Sequence, residues 1–231
     1  MSATIKGTAM QSTSVQSVSE GAPVFLRIMR DGSLVSANWK MAGILQGLGY
    51  MVNVGAFSTP ITGGGNGTIL DQDQPEFVIS VPTGTSIIPL RAEVVCAVPI
   101  LTADSEESEI LLAVDQDAAN TSGGGGGTSE TIYNMNTLKG SGSACTVVSA
   151  ITADITTAPT LDLELMHKLL LGDFGDATGI SHPELYGLYQ PEAGPILNGP
   201  CMLIGYWGGT VAVTGFAVVQ WLEFRTSFVA I

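Results

Sequence analysis

Two histidines, His167 and His182, and three cysteines, Cys96, Cys145 and Cys201, are the residue types best suited to metal or nucleophilic chemistry. No two of them lie close together in sequence. A zinc centre needs four nitrogen or sulfur ligands, usually in closely spaced pairs. An odd number of scattered thiols gives neither that nor a disulfide framework. Each cysteine sits among apolar or β-branched neighbours and reads as a buried thiol used as a small hydrophobe. His167 lies in an alternating leucine run and reads as a hydrogen-bonded histidine of a core or an interface; His182 precedes Pro183 in a loop. A cupin-type metal centre wants several clustered histidines and a carboxylate, and the spacing does not supply them. A Ser–His–Asp or Cys–His set can form in space from distant positions, but nothing in the sequence signals one. The expectation is a protein that is not an enzyme, with no catalytic residues, cofactor or resident metal.

Other short motifs fall short in the same way. Asp71-Gln-Asp73-Gln-Pro-Glu76 resembles part of a calcium loop, yet the EF-hand pattern needs glycine where Glu76 stands. Asp115-Gln-Asp117 is shorter still. A hard-cation site and a solvated acidic loop are both open for these carboxylates, the second being the simpler. Gly63-Gly-Gly-Asn-Gly and the five glycines at 123–127 are not followed by Gly-Lys-Ser/Thr, so neither cradles a phosphate; Lys139-Gly-Ser-Gly-Ser has the wrong order.

Charge excludes whole classes of partner. The chain holds 21 acidic and 8 basic residues, a net charge of −13. No basic residue lies between Arg91 and Lys139, while eight carboxylates do. Direct binding of a nucleic-acid backbone needs a basic patch that releases counterions, and an anionic membrane needs the same. Neither partner is expected. Charged residues are only 13% of the chain, against about 25% in an average domain, so some surface is expected to be hidden in an assembly. The first residues carry no apolar run after Lys6, so no secretory signal is read there, and Asn66-Gly-Thr and Asn120-Thr-Ser are taken as chance matches to the glycosylation pattern.

The elements that would carry these residues are strands. Residues 201–222 have no charge but are rich in Val, Ile, Thr and aromatics. A membrane helix is the competing reading. Four glycines in the run, and no Lys or Arg just outside it, favour strands. Gly208-Gly209 reads as the turn of a hairpin. Asp31-Gly32 reads as a second hairpin turn within 23–37. One short helix is expected in 38–49. Strands are expected at 51–56, 76–81, 86–100, 109–114, 131–138 and 144–155. In 161–171, Leu161, Leu163, Leu165, His167, Leu169 and Leu171 alternate with other residues, a period of two that places five leucines on one strand face. Residues 174–199 read as a long connection. Nine to eleven short strands imply an all-β sandwich or barrel. Residues 1–22, polar and Ser/Thr-rich, read as an extended arm before a single domain at 23–231. Tyr206, Trp207, Trp221, Phe224 and Phe228 crowd the last strands; they read either as core or as a subunit interface, where aromatics are enriched.

Two stretches resemble viral jelly-roll proteins. Phe77-Val-Ile-Ser-Val-Pro-Thr-Gly-Thr-Ser-Ile-Ile-Pro-Leu-Arg-Ala-Glu-Val is similar to the opening strands of capsid and head-decoration domains. Gly215-Phe-Ala-Val-Val-Gln-Trp-Leu-Glu-Phe is similar to their closing strand. The resemblance implies a jelly-roll β-sandwich, a structural role, frequent trimerisation and no catalytic residues. Capsid proteins that touch the genome often carry a basic arm, whereas residues 1–22 hold one Lys and one Glu. The expectation is therefore a homotrimeric decoration or cement protein on the outside of a phage-like head, with itself and other capsid proteins as partners and the virion as its location. The interface would use Tyr206, Trp207, Trp221 and Phe228, and the arm would lie on a neighbour through Ile5, Val15 and Val18. The alternatives are a major jelly-roll capsid subunit, a trimeric carbohydrate-binding module and a metal-dependent cupin-like enzyme.

Overall fold

The computed structural model describes residues 7–9, 26–28, 38–63, 70–97, 106–117, 126–138, 141–155, 157–172, 184–209 and 213–228. Two short strands, β1 (Gly7–Ala9) and β2 (Leu26–Ile28), pair in parallel. The helix α1 (Trp39–Leu45) follows, capped by Asn38, whose side chain accepts the Lys40 N–H. Its brevity fits the glycines on either side of its last turn. The remaining strands are β3 (Gly49–Val54), β4 (Ile61–Thr62), β5 (Phe77–Val81), β6 (Thr85–Ala97), β7 (Glu106–Asp115), β8 (Thr128–Ser129) and β9 (Ile132–Asn134), then β10 (Thr146–Ser149), β11 (Leu163–Gly172), β12 (Glu184–Tyr189), β13 (Leu197–Asn198), β14 (Cys201–Gly209) and β15 (Thr214–Arg225).

These form an all-β sandwich of two antiparallel sheets. One runs β11-β7-β14-β5-β10-β8; the other runs β12-β6-β15-β3-β9, with β13 beside β6 and β4 beside β15. Eight strands make the frame, four in each sheet. Taken in chain order, the first pairs with the eighth (β3 with β15), the second with the seventh (β5 with β14), the third with the sixth (β6 with β12), and the fourth with the fifth (β7 with β11). The chain is thus a long antiparallel ribbon folded at its middle and rolled up, so that β15 also pairs with β6 and β14 with β7.

The core lies between the sheets. Strands of the seven-stranded sheet send alternate residues inward: Val52 and Val54, Ala92 and Val94, Ala217, Val219 and Trp221. The six-stranded sheet contributes Phe77, Ile79, Ile110, Leu112, Leu203 and Trp207. Its outer face is buried too. Val78, Ala113, Met202, Ile204 and Tyr206 pack under Ile151, Ile155 and Leu70. This is why β5 and β14 are buried along their whole length.

Three sequence expectations are corrected. Gly208-Gly209 is not a turn. Both glycines lie inside β14, opposite Glu109 and Ser108 of β7, and β14 and β15 belong to different sheets. The glycines allow close approach instead: a Cβ on Gly209 would sit 2.3 Å from the Glu107 carbonyl oxygen. The five-leucine face of 161–171 is also not one face. β11 has a bulge between Glu164 and Met166, and a bulge breaks the two-residue alternation. Leu163 packs on the core before it, Leu165 at the bulge itself, and Met166 and Leu170 after it, while His167 and Leu169 are exposed. Finally, 174–199 is not merely a connection, because it contains β12 and β13. Of the hairpin expected within 23–37 only Leu26–Ile28 is described; the Asp31-Gly32 turn and the second arm lie outside the described residues, as do Ile5, Val15 and Val18 of the arm.

Candidate functional site

A cleft of about 1000 Å³ opens at one end of the sandwich, between the start of β3, the turn before β6, the segment 141–144 and the end of β15. Its chemistry comes from Tyr50, Ser141, Ser143, Glu223 and Arg225. The alternation of β3 turns Tyr50 inward, where its ring stacks on Trp221 at 6.3 Å between centroids. The Tyr50 hydroxyl reaches the Ser141 Oγ at 3.2 Å and donates to the Gly142 carbonyl at 3.2 Å. Glu223 is only 9% exposed. Its two oxygens accept from the Ser143 hydroxyl at 2.5 Å and the Ala144 N–H at 2.8 Å. A buried carboxylate needs such partners to offset lost hydration. Both Glu223 oxygens are thus engaged within the chain, and the hydroxyls of Tyr50, Ser141 and Ser143 supply the polar lining of the cleft.

The acidic turn before β5 is knitted together rather than open. Asp73 N–H donates to the Asp71 side chain at 3.1 Å, Gln74 donates to Asp154 at 2.6 Å, and Ile155 N–H donates to the Asp73 carbonyl at 2.8 Å. Tyr206 donates its hydroxyl to the Gln72 carbonyl at 2.9 Å. Burial pushes the Tyr206 phenol up, and the carboxylates of Glu76, Asp73, Asp115 and Asp71 push it further. Glu76 is buried and accepts the Trp207 N–H at 2.7 Å. Among the described residues no group of three or more His, Cys, Asp or Glu side chains is placed to hold a metal ion.

The sequence-selected residues do not converge on one site. His167 is 43% exposed on β11, where its Nε2 lies 2.7 Å from Glu109 and its Nδ1 3.4 Å from Glu164. It is hydrogen-bonded as expected but belongs to the surface, because the bulge turns it outward. His182 lies outside the described residues. Cys96, Cys145 and Cys201 are free, buried thiols. Burial raises all three, with Glu76, Glu223 and Asp115 respectively adding to the rise; Cys201 reaches about 11. Tyr206, Trp207 and Trp221 are at most 1% exposed within one chain. The core alternative holds for these three, and a subunit contact has to use other side chains. The side chain of Phe228 lies outside the described residues. Sequence reasoning missed Tyr50 and Glu223. The signal for Glu223 was present: it is the first charge after the uncharged run 201–222, on a strand that continues past it. No helix among the described residues is long and apolar enough to cross a membrane. No protein-family model, curated protein or solved structure matches the chain.

Proposed function

We propose that this chain is a structural protein of a virus particle, built as a jelly roll and acting by packing against copies of itself and against other shell proteins. The strand order carries the reading. Eight strands paired first with eighth, second with seventh, third with sixth and fourth with fifth are the arrangement of the double-sheet jelly rolls found in viral capsids, lectins and cupins. Because that fold hosts several functions, the choice among them rests on chemistry. The inter-sheet space is filled by Trp207, Trp221 and Phe77, whereas a cupin keeps a metal pocket there. The net charge of −13 suits a protein kept off the genome. A position on the head exterior, as a homotrimeric decoration or cement protein, is the form the resemblance favours, and the single Lys and single Glu of residues 1–22 suit it; a major capsid subunit is the second form of the same reading.

The experiment is electron microscopy and light scattering of the purified chain, alone and mixed with particles that lack it. Shells, or trimers of three times the 23.9 kDa chain that coat particles, support the proposal. A monomer that neither assembles nor attaches overturns it. The hydroxyl-lined cleft favours a carbohydrate-binding module as the other reading; saturable binding to a glycan panel, abolished by Tyr50→Ala, would establish that instead.

A further inference from the structure

The two outer faces of the sandwich are unlike. That of the six-stranded sheet is roofed by the chain's own Ile151, Ile155 and Leu70. Among the described residues, that of the seven-stranded sheet is roofed near one end, where α1 lies on Leu222. Beyond that end its described side chains keep contact with solvent: Arg91, Glu93, Val95, Phe216, Val218 and Gln220 are half-buried, in contrast to the buried outer face of the other sheet. Its rows follow from the register. Val95 stands beside Phe216, Glu93 beside Val218, and Arg91 beside Gln220. Tyr186 flanks Val95 and Leu188 flanks Glu93 on β12, and both are exposed. Within these rows the only charges are Arg91 and Glu93, which pair with each other at 2.5 Å. A neutral, largely apolar face on a chain of net charge −13 is where a second acidic copy meets least repulsion.

We propose that this face is a contact between two copies of the chain, packed sheet on sheet about a two-fold axis. The axis runs across the strands, between the row of Glu93 and the row of Arg91. A two-fold contact places the same patch on both partners. With the axis there, Arg91 of each copy lies over Glu93 of the other, and Gln220 over Val218. The patch is therefore complementary to itself in charge as well as in shape. Five strands about 4.8 Å apart and five residues at about 3.4 Å each give a footprint of about 400 Å². Counting both copies and the flanking side chains, about 1,000 Å² is covered, the lower bound of a specific interface. The proposal is for a modest pairing, of micromolar strength, suited to repeated use in a larger assembly. It does not depend on the virion reading, since it is a property of the isolated chain.

Sedimentation of the full chain over a concentration series tests it. The expected result is a reversible dimer whose dissociation constant rises at least about 30-fold in Val218→Arg, because a charge is then buried at the centre of the contact. Arg91→Glu sets like charges against each other and weakens the dimer; the double variant Arg91→Glu/Glu93→Arg restores it to within about threefold, because the cross-pairs are rebuilt in reverse. Thr146→Lys, on the other sheet, leaves it unchanged. A wild-type monomer at about 100 µM, where a micromolar complex is mostly formed, overturns the proposal. So does association indifferent to Val218→Arg, or a double variant no better than Arg91→Glu alone. If Val218→Arg fails to fold, the charge-reversal pair decides. Failure here with particle attachment intact would leave the virion reading standing.

Discussion

The carboxylate of Glu76 accepts the backbone N–H of Trp207 at 2.7 Å, joining the residue just before β5 to the interior of β14. The backbone ladder between these strands ends at Gly205, whose carbonyl takes the Glu76 N–H at 3.1 Å. The Glu76 side chain then supplies one more acceptor where backbone pairing has stopped. Glu76→Ala leaves the Trp207 N–H buried without that acceptor and is expected to cost about 1–3 kcal/mol. Glu76→Gln keeps an acceptor oxygen and loses less. Denaturant unfolding of the two variants measures the difference, and equal losses would contradict this role.

Gly205 faces the ring of Phe77. A Cβ there would lie 2.0 Å from the Phe77 Cε1, so Gly205→Ala is an overpacking change, expected to destabilise by about 1–3 kcal/mol. Because the clash is with a side chain, Phe77→Leu in the same chain recovers part of the loss. A strictly additive double variant would show that the two residues do not meet.

The buried thiols make an alkaline prediction. Cys201 is held at about 11 against an ordinary value of 9.0, by burial first and the Asp115 carboxylate second; Cys96 and Cys145 are raised in the same direction. The unfolded chain ionises these thiols before the native one does. Their contribution to stability is thus intact below pH 9 and declines as the pH rises above it, that of Cys201 being lost by about 11 and those of Cys96 and Cys145 at higher pH. Each thiol contributes a slope of up to about 1.4 kcal/mol per pH unit. Unfolding free energies between pH 8 and 10.5, compared with a Cys→Ala triple variant, isolate the effect. A thiol-reactive dye at pH 8 should label the unfolded protein and spare the native one.

Glu223 holds the segment 141–145 against the end of β15 through Ser143 and Ala144. Ser143 in turn accepts the Cys145 N–H at 3.0 Å. Glu223→Ala should release this segment, raising amide exchange there about 10-fold or more while β6 and β14 keep their protection. Uniform acceleration across both sheets would mean that Glu223 supports the whole fold instead.

The sandwich was legible from composition: 201–222, uncharged and rich in Val, Ile, Thr and aromatics, does form strands, β14 and β15. Residues 214–221 alternate half-buried and buried along β15, a pattern set by the pleat that their apolar sequence does not display. The break between the strands expected at 76–81 and 86–100 was legible too, from Pro82-Thr-Gly-Thr: Thr85 N–H closes a turn there on the Pro82 carbonyl at 3.1 Å, with Gly84 at φ +84°. What misled was also local. Gly208-Gly209 has turn chemistry, but the approach of β7 uses the missing side chains instead. The bulge in β11 leaves no mark in its leucines. The cleft could not be read at all. Tyr50, Ser143 and Glu223 lie far apart in sequence and meet only because β3 pairs with β15 and the 141–144 segment folds over that pair.

Rolling the ribbon up from its middle gives the seventh and eighth strands of the frame the inner places. β14 stands between β7 and β5, and β15 between β6 and β3. Without them one sheet separates into β11-β7 and β5-β10-β8, and the other into β12-β6 and β3-β9. Until residues 201–225 have left the ribosome, a growing chain therefore holds only narrow strips with unpaired edges, the form most prone to aggregate. Closure must wait on pairings between the two ends of the ribbon, which slows folding but has a benefit for anything built from many copies. A chain cut short before residue 201 has no seat for either sheet to close on, so a truncated chain cannot complete the sandwich.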